Sequence, residues 1–574
     1  MRAQDTLKSR RFGAGRGEMQ GRALKTESGH GTEGPGFGWV CSVFAATLLV
    51  YALLTPRVLR YLEPPLGDQP HYLMTTISIA EDHDLDEFNN YHESASYKEF
   101  YTVPDSPSFK GIRVGPLTAG FHSAPRANRP TSEWYSMHGP GLPVLIVPGW
   151  AIGQALKPLL GTLTANGNGG WPGTVFEMNL LGALVAVQVF LLAWDVTRSR
   201  AIGMAVWAPV TFANPLMSFS YLIFPELPAA LATIYAFRRL RLGWTNNRRW
   251  QLMLVALGIG ALPWLQIRFA PISLGLFAFA VYQWWHAPER ASRTHVASLA
   301  LLVGTVSVAG GCFVTYMLWL YGELMPKDLA TPAFFTSSSS GRLFGMDWES
   351  LYLAALGLLY DRQYGLLVYA PVFILVLVGL YALWRVPGTR AQAGWLVGIT
   401  LPYTLVVAHY SAWWGGLTPP ARYLTAIIPL SAVPLAYSLC ALRTSSVYRT
   451  IYAVSSAITV VIMVALLAGL DHPPGLLPAL LNEVGSSDRA SLFAWISYWF
   501  PVDPSSLVPQ VAPWFSPYRH HLVPLGPILG CLALSLAILL PGLIAVDRIG
   551  EPPMSAASAA PPASARSAHD VRTQ

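Results

Sequence analysis

The sequence predicts an all-α integral membrane protein of about twelve transmembrane helices, and three observations predict it: a charge-poor composition, a succession of long apolar runs, and basic residues gathered in short loops. Of 574 residues, 53% are hydrophobic and 12% charged, with a mean hydropathy of +0.39. Soluble chains carry about a quarter charged residues, so this chain lacks the polar surface needed to face water all round. The net charge of +7 and pI near 9.1 fit basic loops on the cytoplasmic side of a membrane. No nucleic-acid motif and no GxxxxGK[ST] phosphate loop accompanies them.

Taken in order, the chain begins with a polar, basic segment, 1–36, read as a disordered cytoplasmic tail. The apolar run behind it lacks a small-residue cleavage site and reads as an uncleaved first span. Apolar runs fall at 37–55, 174–194, 201–219, 226–238, 251–265, 269–285, 297–321, 364–384, 392–409, 424–441, 450–470 and 521–546. The run from Pro140 to Gly153 is short and broken by Pro143, Pro148 and Gly149. Counting it as a span would put most of the short arginine-bearing loops outside, so it reads as a juxtamembrane or re-entrant helix. Residues 37–546 then form one polytopic domain with both ends inside, and 547–574, rich in Ala, Ser and Pro, form a second disordered tail. Cys41, Cys312, Cys440 and Cys531 all lie in apolar runs without metal-site spacing and read as buried small hydrophobes.

Long segments gather on the face opposite the N-terminus: about 56–173, 322–363, 410–423 and 471–520. Long loops over a rigid helical scaffold are where sites are built. The first opens with Gly67-Asp68-Gln69-Pro70-His71-Tyr72, directly after the first span. Asp68 there is either a helix N-cap before a proline-bearing first turn or a general base for an acceptor hydroxyl or amine. The acidic run Glu81 to Glu87 is a solvated turn or, through Asp84 and Asp86, a divalent-cation site, although it lacks a complete calcium-loop pattern.

Arg268, Arg342, Arg362 and Arg422, with His138 and His409, are cations expected on this outer face. They suit either lipid headgroups and structural salt bridges or a bound phosphate or pyrophosphate. Glu226, at the outer start of a span, either compensates a helix N-terminus or pairs with one of these arginines.

In their order along the chain these residues resemble the GT-C superfamily of polytopic membrane glycosyltransferases, which includes protein O-mannosyltransferases and aminoarabinose transferases. The acid in GDQPHY after the first span, the block YSMHGPGLP at 135–143, and the segments NPLMSFSYLIFPE, ALPWLQIRFAP, LYDRQYGLLVYAP and WWGGLTPPARYL carry the resemblance, over most of 37–430. The paired acids usual in the first-loop motif are absent, because Gln69 follows Asp68; a second acid would have to be Glu81, Asp82 or Glu226.

The resemblance implies a GT-C-type bundle with a helical first periplasmic loop, in a bacterial inner membrane. It implies a hexosyl- or pentosyltransferase moving a sugar from a polyprenyl-phosphate donor to a glycan, lipid or protein acceptor. Asp68 would be the base; His71, Tyr72, His138, Glu226, Arg268, Arg342, Arg362, His409 and Arg422 would surround substrate and phosphate. No cofactor motif is present, and a divalent cation is the one cofactor left open. A transporter or flippase, and a ligase or polymerase of lipid-linked glycans, are the competing expectations.

Overall fold

The architecture comes from a computed structural model that describes residues 34–63, 65, 67–92, 123–125, 133–136, 138–288, 290–321, 348–386, 388–410, 413–416, 418–440, 445–468, 507–509, 511 and 525–549. The chain divides into a short unit, Met1–Ser42, and a main unit, Val43–Gln574. The expected tails lie almost wholly outside the described residues, and Arg342 lies outside them too.

Each apolar run contains helix among its described residues. The principal helices are α1 (Phe37–Leu62), α2 (Gln69–Ile77), α3 (Phe88–His92), α4 (Gly141–Ala155), α5 (Gly170–Thr197), α6 (Arg200–Thr211), α7 (Glu226–Arg241), α8 (Arg249–Leu265), α9 (Ala270–Trp285) and α10 (Arg293–Tyr321). They continue with α11 (Trp348–Tyr360), α12 (Val376–Arg385), α13 (Arg390–His409), α14 (Ala432–Cys440), α15 (Ser446–Ala468) and α16 (Leu525–Ile549). The only described strands are β1 (Ser123–Pro125) and β2 (Trp134–Ser136), an antiparallel pair in register Ala124 to Tyr135. The described residues are thus those of an all-α membrane protein, with one three-residue ladder among them inside the first long loop.

Seven of the described helices are long and apolar enough to cross a membrane, or eight if α4 and the bent turn after it make one span. Large apolar side chains cover the outside: Leu53, Leu274 and Leu525 are about 70% exposed or more. In water such a surface would aggregate; lipid is its natural solvent. The central helix is α5, with 61% of its apolar window buried against 17–33% for the other six. None of the cysteines is fully buried: Cys312 is exposed and Cys440 and Cys531 are partly so. This corrects the expectation of buried thiols, because an apolar helix in lipid need not turn its small hydrophobes inward.

Several sequence-read spans are broken. The run 201–219 ends as helix at Thr211, bends through Phe212–Pro215, and resumes for one turn at Leu216–Phe219. The run 364–384 is a turn of helix, then a 3-10 segment at Pro371–Leu375, then α12. The run 424–441 starts as two 3-10 segments, Arg422–Ala426 and Ile428–Ser431, before α14. Proline stands at each break: Pro215, Pro371 and Pro429. It removes a helical N–H and clashes with the preceding turn. Irregular backbone at membrane depth is tolerated only where protein, not lipid, surrounds it, and these breaks are inside the bundle. Helix α11 falls in the segment read from the sequence as an outer loop, and α16 runs to Ile549, past the expected tail boundary at 547.

The short run 140–153 is a helix, α4, that turns by 81° into Lys157–Leu163. It lies against α5 through glycines on both partners. A Cβ on Gly153 would stand 2.3 Å from the carbonyl oxygen of Gly169, and one on Gly173 would stand 2.4 Å from that of Gly149. Small residues four apart on both sides let the backbones touch, as in close membrane helix pairs.

Gly153→Ala is therefore expected to destabilise the protein by about 1–3 kcal/mol through overpacking. Gly304→Ala, in α10 where nothing lies within 4 Å, is expected to be neutral or slightly stabilising. Thermal unfolding of both variants in detergent checks the contrast.

Candidate functional site

Two of the helix breaks, at 212–225 and at 422–431, border one ionic cluster. Asp68 follows α1 and begins α2; Glu226 begins α7; Arg268 sits in the 3-10 turn Ile267–Phe269 between α8 and α9; Arg422 begins the irregular stretch before α14. Helix ends from four parts of the sequence thus deliver two carboxylates and two guanidiniums to one place.

Arg422 is the hub. Its Nη2 donates to Asp68 Oδ2 at 2.7 Å, its Nε to Glu226 Oε1 at 2.7 Å, and its Nη1 to the Gly415 carbonyl at 3.0 Å. Arg268 Nη2 donates to the same Glu226 Oε1 at 2.5 Å. Glu226 is wholly enclosed and the Arg422 side chain 5% exposed, whereas Arg268 is 15% and Asp68 24% exposed. The cluster therefore has a closed core, Glu226 and Arg422, and two more accessible ends, Asp68 and Arg268.

Aromatic faces complete the setting. The Arg268 guanidinium lies 4.3 Å from the Tyr423 ring centroid, and that of Arg422 lies 4.4 Å from Phe224. Stacking suits guanidinium more than ammonium, since it is planar and weakly hydrated. Burial alone would disfavour the charge on Arg422, but Glu226 and Asp68 outweigh it and hold its pKa well above the ordinary value. Burial, reinforced by the charge on Asp68, raises the Tyr72 hydroxyl well above its usual range, so it stays protonated at neutral pH. Among the described residues no hydrogen-bond partner meets the Tyr72 hydroxyl, Glu226 Oε2 or Arg268 Nε, all buried.

Local sequence explains how each group is aimed. Asp68 occupies the N-cap position of α2, yet its side chain makes no capping hydrogen bond; it turns to Arg422 instead. Pro70 in the first turn needs no N–H partner. Gln69, which stands where a second acid would be expected, is fully buried and accepts the Ile223 N–H at 3.0 Å. It ties α2 to the segment leading into Glu226. On the other side, Gly415 has φ +94°, and a Cβ there would meet Thr418 Oγ1 at 2.8 Å and Arg422 Cβ at 3.0 Å. Ala421, just before Arg422, is held at φ +58°, a costly region for a residue with a Cβ. Its N–H bonds the Tyr364 carbonyl at 3.0 Å, while the Asn214 amide donates to the Pro420 carbonyl at 2.8 Å. The break at 212–225 therefore holds the loop that aims Arg422.

The other site residues expected from sequence divide around this cluster. His71 is buried and its Nδ1 shares a hydrogen bond with the Tyr91 hydroxyl at 2.5 Å. His138 packs against Tyr72 with ring centroids 4.8 Å apart, so the blocks GDQPHY and YSMHGPGLP touch. His409 is the last residue of α13, next to Tyr410, whose ring stands edge-on to Tyr423 at 6.1 Å. The Arg362 N–H donates to the Pro509 carbonyl at 2.8 Å, and its carbonyl accepts the Tyr369 hydroxyl at 3.3 Å. Asp361 beside it is fully buried and accepts the N–H groups of Gln363, Tyr364 and Val511, so both neighbours bond the segment 509–511.

The acidic run is a hydrogen-bonded turn. Asp84 Oδ1 accepts from the Ser78 hydroxyl and the Asp86 N–H, and Asp86 Oδ1 accepts from the N–H groups of Phe88 and Trp134. Thr75 donates to the buried Glu87. Of the three candidates for a second acid, Glu81 accepts from Trp150 Nε1 and Asp82 from the Asn90 amide; only Glu226 enters the cluster. Among the described residues no group of three or more His, Cys, Asp or Glu side chains is arranged to hold a metal ion. Gln69, Phe224, Gly415 and Tyr423 were not singled out from the sequence as parts of the site. Their signal is their place in the blocks GDQPHY, NPLMSFSYLIFPE and WWGGLTPPARYL that also hold Asp68, Glu226 and Arg422.

Arg422→Met removes the partner of two carboxylates, one fully buried, and is expected to cost about 3–5 kcal/mol. Asp68→Asn, at the accessible end, is expected to cost distinctly less. In a double-mutant cycle, Arg422→Met with Glu226→Gln should be non-additive by about 0.5–3 kcal/mol, read from unfolding in detergent.

No protein-family model, no curated protein sequence and no solved structure matches this chain, so the geometry of the cluster alone carries its functional reading.

Proposed function

We propose that this protein is a membrane glycosyltransferase of the GT-C kind, moving a sugar from a polyprenyl-phosphate donor to an acceptor on the face opposite its N-terminus. The supporting observation is the meeting of Asp68 with Arg422, Glu226 and Arg268 directly after the first span. A partly exposed carboxylate at such a place can take the proton of an acceptor hydroxyl or amine as the new glycosidic bond forms. The donor phosphate leaves with the bonding electrons of its bond to the sugar and needs a cation.

Arg268 suits that need better than Arg422. Each of the three guanidinium nitrogens of Arg422 already donates within the protein, whereas Arg268 is the more exposed side chain, 15% against 5%, and donates to Glu226 through Nη2. Tyr72 stays neutral, and its buried hydroxyl, without a partner among the described residues, lies beside Asp68. His138 flanks it. In this reading the protein crosses a bacterial inner membrane about twelve times, the broken helices included, with α4 as a re-entrant element.

A second reading has an observation of its own. Helices that break at a buried ionic cluster are also how transporters build midplane sites, so a flippase for a lipid-linked solute is the alternative.

Purified protein in lipid vesicles, given polyprenyl-phosphate hexose or pentose donors, is expected to release polyprenyl phosphate and glycosylate an acceptor. Asp68→Asn is expected to reduce transfer by about 10²–10⁴-fold while still inserting and folding. Undiminished transfer by that variant would remove Asp68 as the base. Movement of the intact donor across the vesicle membrane without transfer would favour the flippase. Activity confined to pyrophosphate-linked donors would point to a glycan ligase or polymerase.

A further inference from the structure

We propose that Glu226 and Arg422 form a charge balance that sets the orientation and proton affinity of Asp68, with Glu226 as a positioning residue acting through Arg422. This rests on the reading of Asp68 as the proton acceptor, but its principal test does not require turnover.

The geometry is specific. Arg422 presents one guanidinium to two carboxylates, Nη2 to Asp68 and Nε to Glu226, both at 2.7 Å. A planar guanidinium holds both directions at once, which a lysine cannot. Glu226 in turn divides the same oxygen between Arg422 and Arg268. The line from Asp68 through Arg422 and Glu226 to Arg268 thus alternates in sign and sums to zero. With Glu226 wholly enclosed, its charge is only weakly screened by solvent, so changing it is felt at Asp68 through the shared arginine.

Among the described residues, further groups act on Asp68 from several segments. On its own helix lies Tyr72, with His138 packed against that ring. The segment that begins at Arg422 also brings Tyr423, and the end of α13 brings Tyr410; both hydroxyls interact with Asp68. Of these, Tyr72, Tyr410 and Tyr423 are neutral at working pH, so among the described residues of the cluster the fixed charges facing Asp68 are Arg422, Glu226 and Arg268.

The signs follow. Removing the negative charge of Glu226 leaves Arg422 to Asp68 alone and takes away a repelling carboxylate. Both effects favour ionised Asp68, and its titration midpoint falls. Replacing Arg422 with a residue that cannot fork between the acids weakens the stabilisation of ionised Asp68, and the midpoint rises. Neutralising Arg268 leaves Glu226 to lean on Arg422 alone, and the midpoint rises by less. A merely structural role for Glu226 would cut folded yield or activity and leave the midpoint where it is.

The test is a pH titration of the Asp68 carboxyl stretching band by difference infrared spectroscopy on the full chain in lipid, with Asp68→Asn as the blank. Glu226→Gln is expected to lower the midpoint by about one pH unit, and Glu226→Asp to restore most of it. Should Glu226→Gln not fold, Arg422→Lys and Arg268→Gln carry the test, both with upward shifts. An unmoved midpoint in a folded Glu226→Gln protein, or a midpoint that does not rise in Arg422→Lys, would overturn the proposal. In a transfer assay with a polyprenyl-phosphate hexose, the acid limb of kcat/KM should move in the same directions. If Asp68→Asn retains full transfer, the base assignment fails while the infrared shifts still judge the charge balance; if Asp68→Asn is inactive and the shifts are absent, the charge balance alone fails.

Discussion

Each of the hydrogen-bonding nitrogens of Arg422 ends on a different segment: Nε on Glu226, Nη2 on Asp68 and Nη1 on the Gly415 carbonyl. A guanidinium cannot shed its charge at physiological pH, so its burial has to be answered by acceptors. The rest of the interior is arranged to supply them. Asp68 forgoes capping α2, α7 begins with an acid, and the chain after α13 takes up left-handed backbone at Gly415, Gly416 and Ala421. Cutting any one of these connections leaves a charge stranded at low dielectric, which costs more than the connection contributes when intact.

The broken helices are the price of that arrangement. An uninterrupted membrane helix satisfies its own backbone and keeps side chains at regular angles. It cannot bring Phe224, Glu226, Arg268 and Arg422 to a common point from different parts of the chain. Proline-bearing breaks at Pro215, Pro371 and Pro429 shorten several helices and free backbone groups. Those groups are taken up again by side chains, as Asn214 does for Pro420 and Gln69 for Ile223. Polar residues in these breaks therefore do two jobs: they repair the backbone and fix the position of the charged groups.

The cluster has an asymmetry that matters for chemistry. Its negative centre, Glu226, is sealed, while its two ends, Asp68 and Arg268, reach more accessible surroundings with opposite charges. In the proposed reading, a substrate with a proton to lose and an anion to stabilise would meet a complementary pair held in fixed relation through the core. Preorganised charges of this kind need no rearrangement when a reaction passes through its charged stage. The paired glycines of α4 and α5 give the first long loop a rigid footing, and α2, carrying Asp68, packs on that same helix: the Thr76 hydroxyl donates to the Pro143 carbonyl at 3.4 Å.

Much of this was legible in the sequence. Apolar length and sparse charge determined the membrane class, because exposure to lipid constrains composition directly. The twelve apolar runs marked helices, and Pro143, Pro148 and Gly149 marked the segment that is not an ordinary straight span. Asp68, Glu226, Arg268 and Arg422 stood out as ionised groups where such groups are costly. What tertiary structure decided was which of them meet. Asp68 could have been a cap, and Glu226 a helix-terminal charge, until Arg422 was placed beside them from 354 and 196 residues away. Composition and periodicity are local; a salt bridge between distant segments depends on how helix ends are brought together, and that follows from the breaks, the glycine contacts and the backbone repairs acting at once. Gln69 shows the limit most clearly: as a letter it is a missing acid, and in the fold it is the tie that brings the segment before Glu226 to the helix of Asp68.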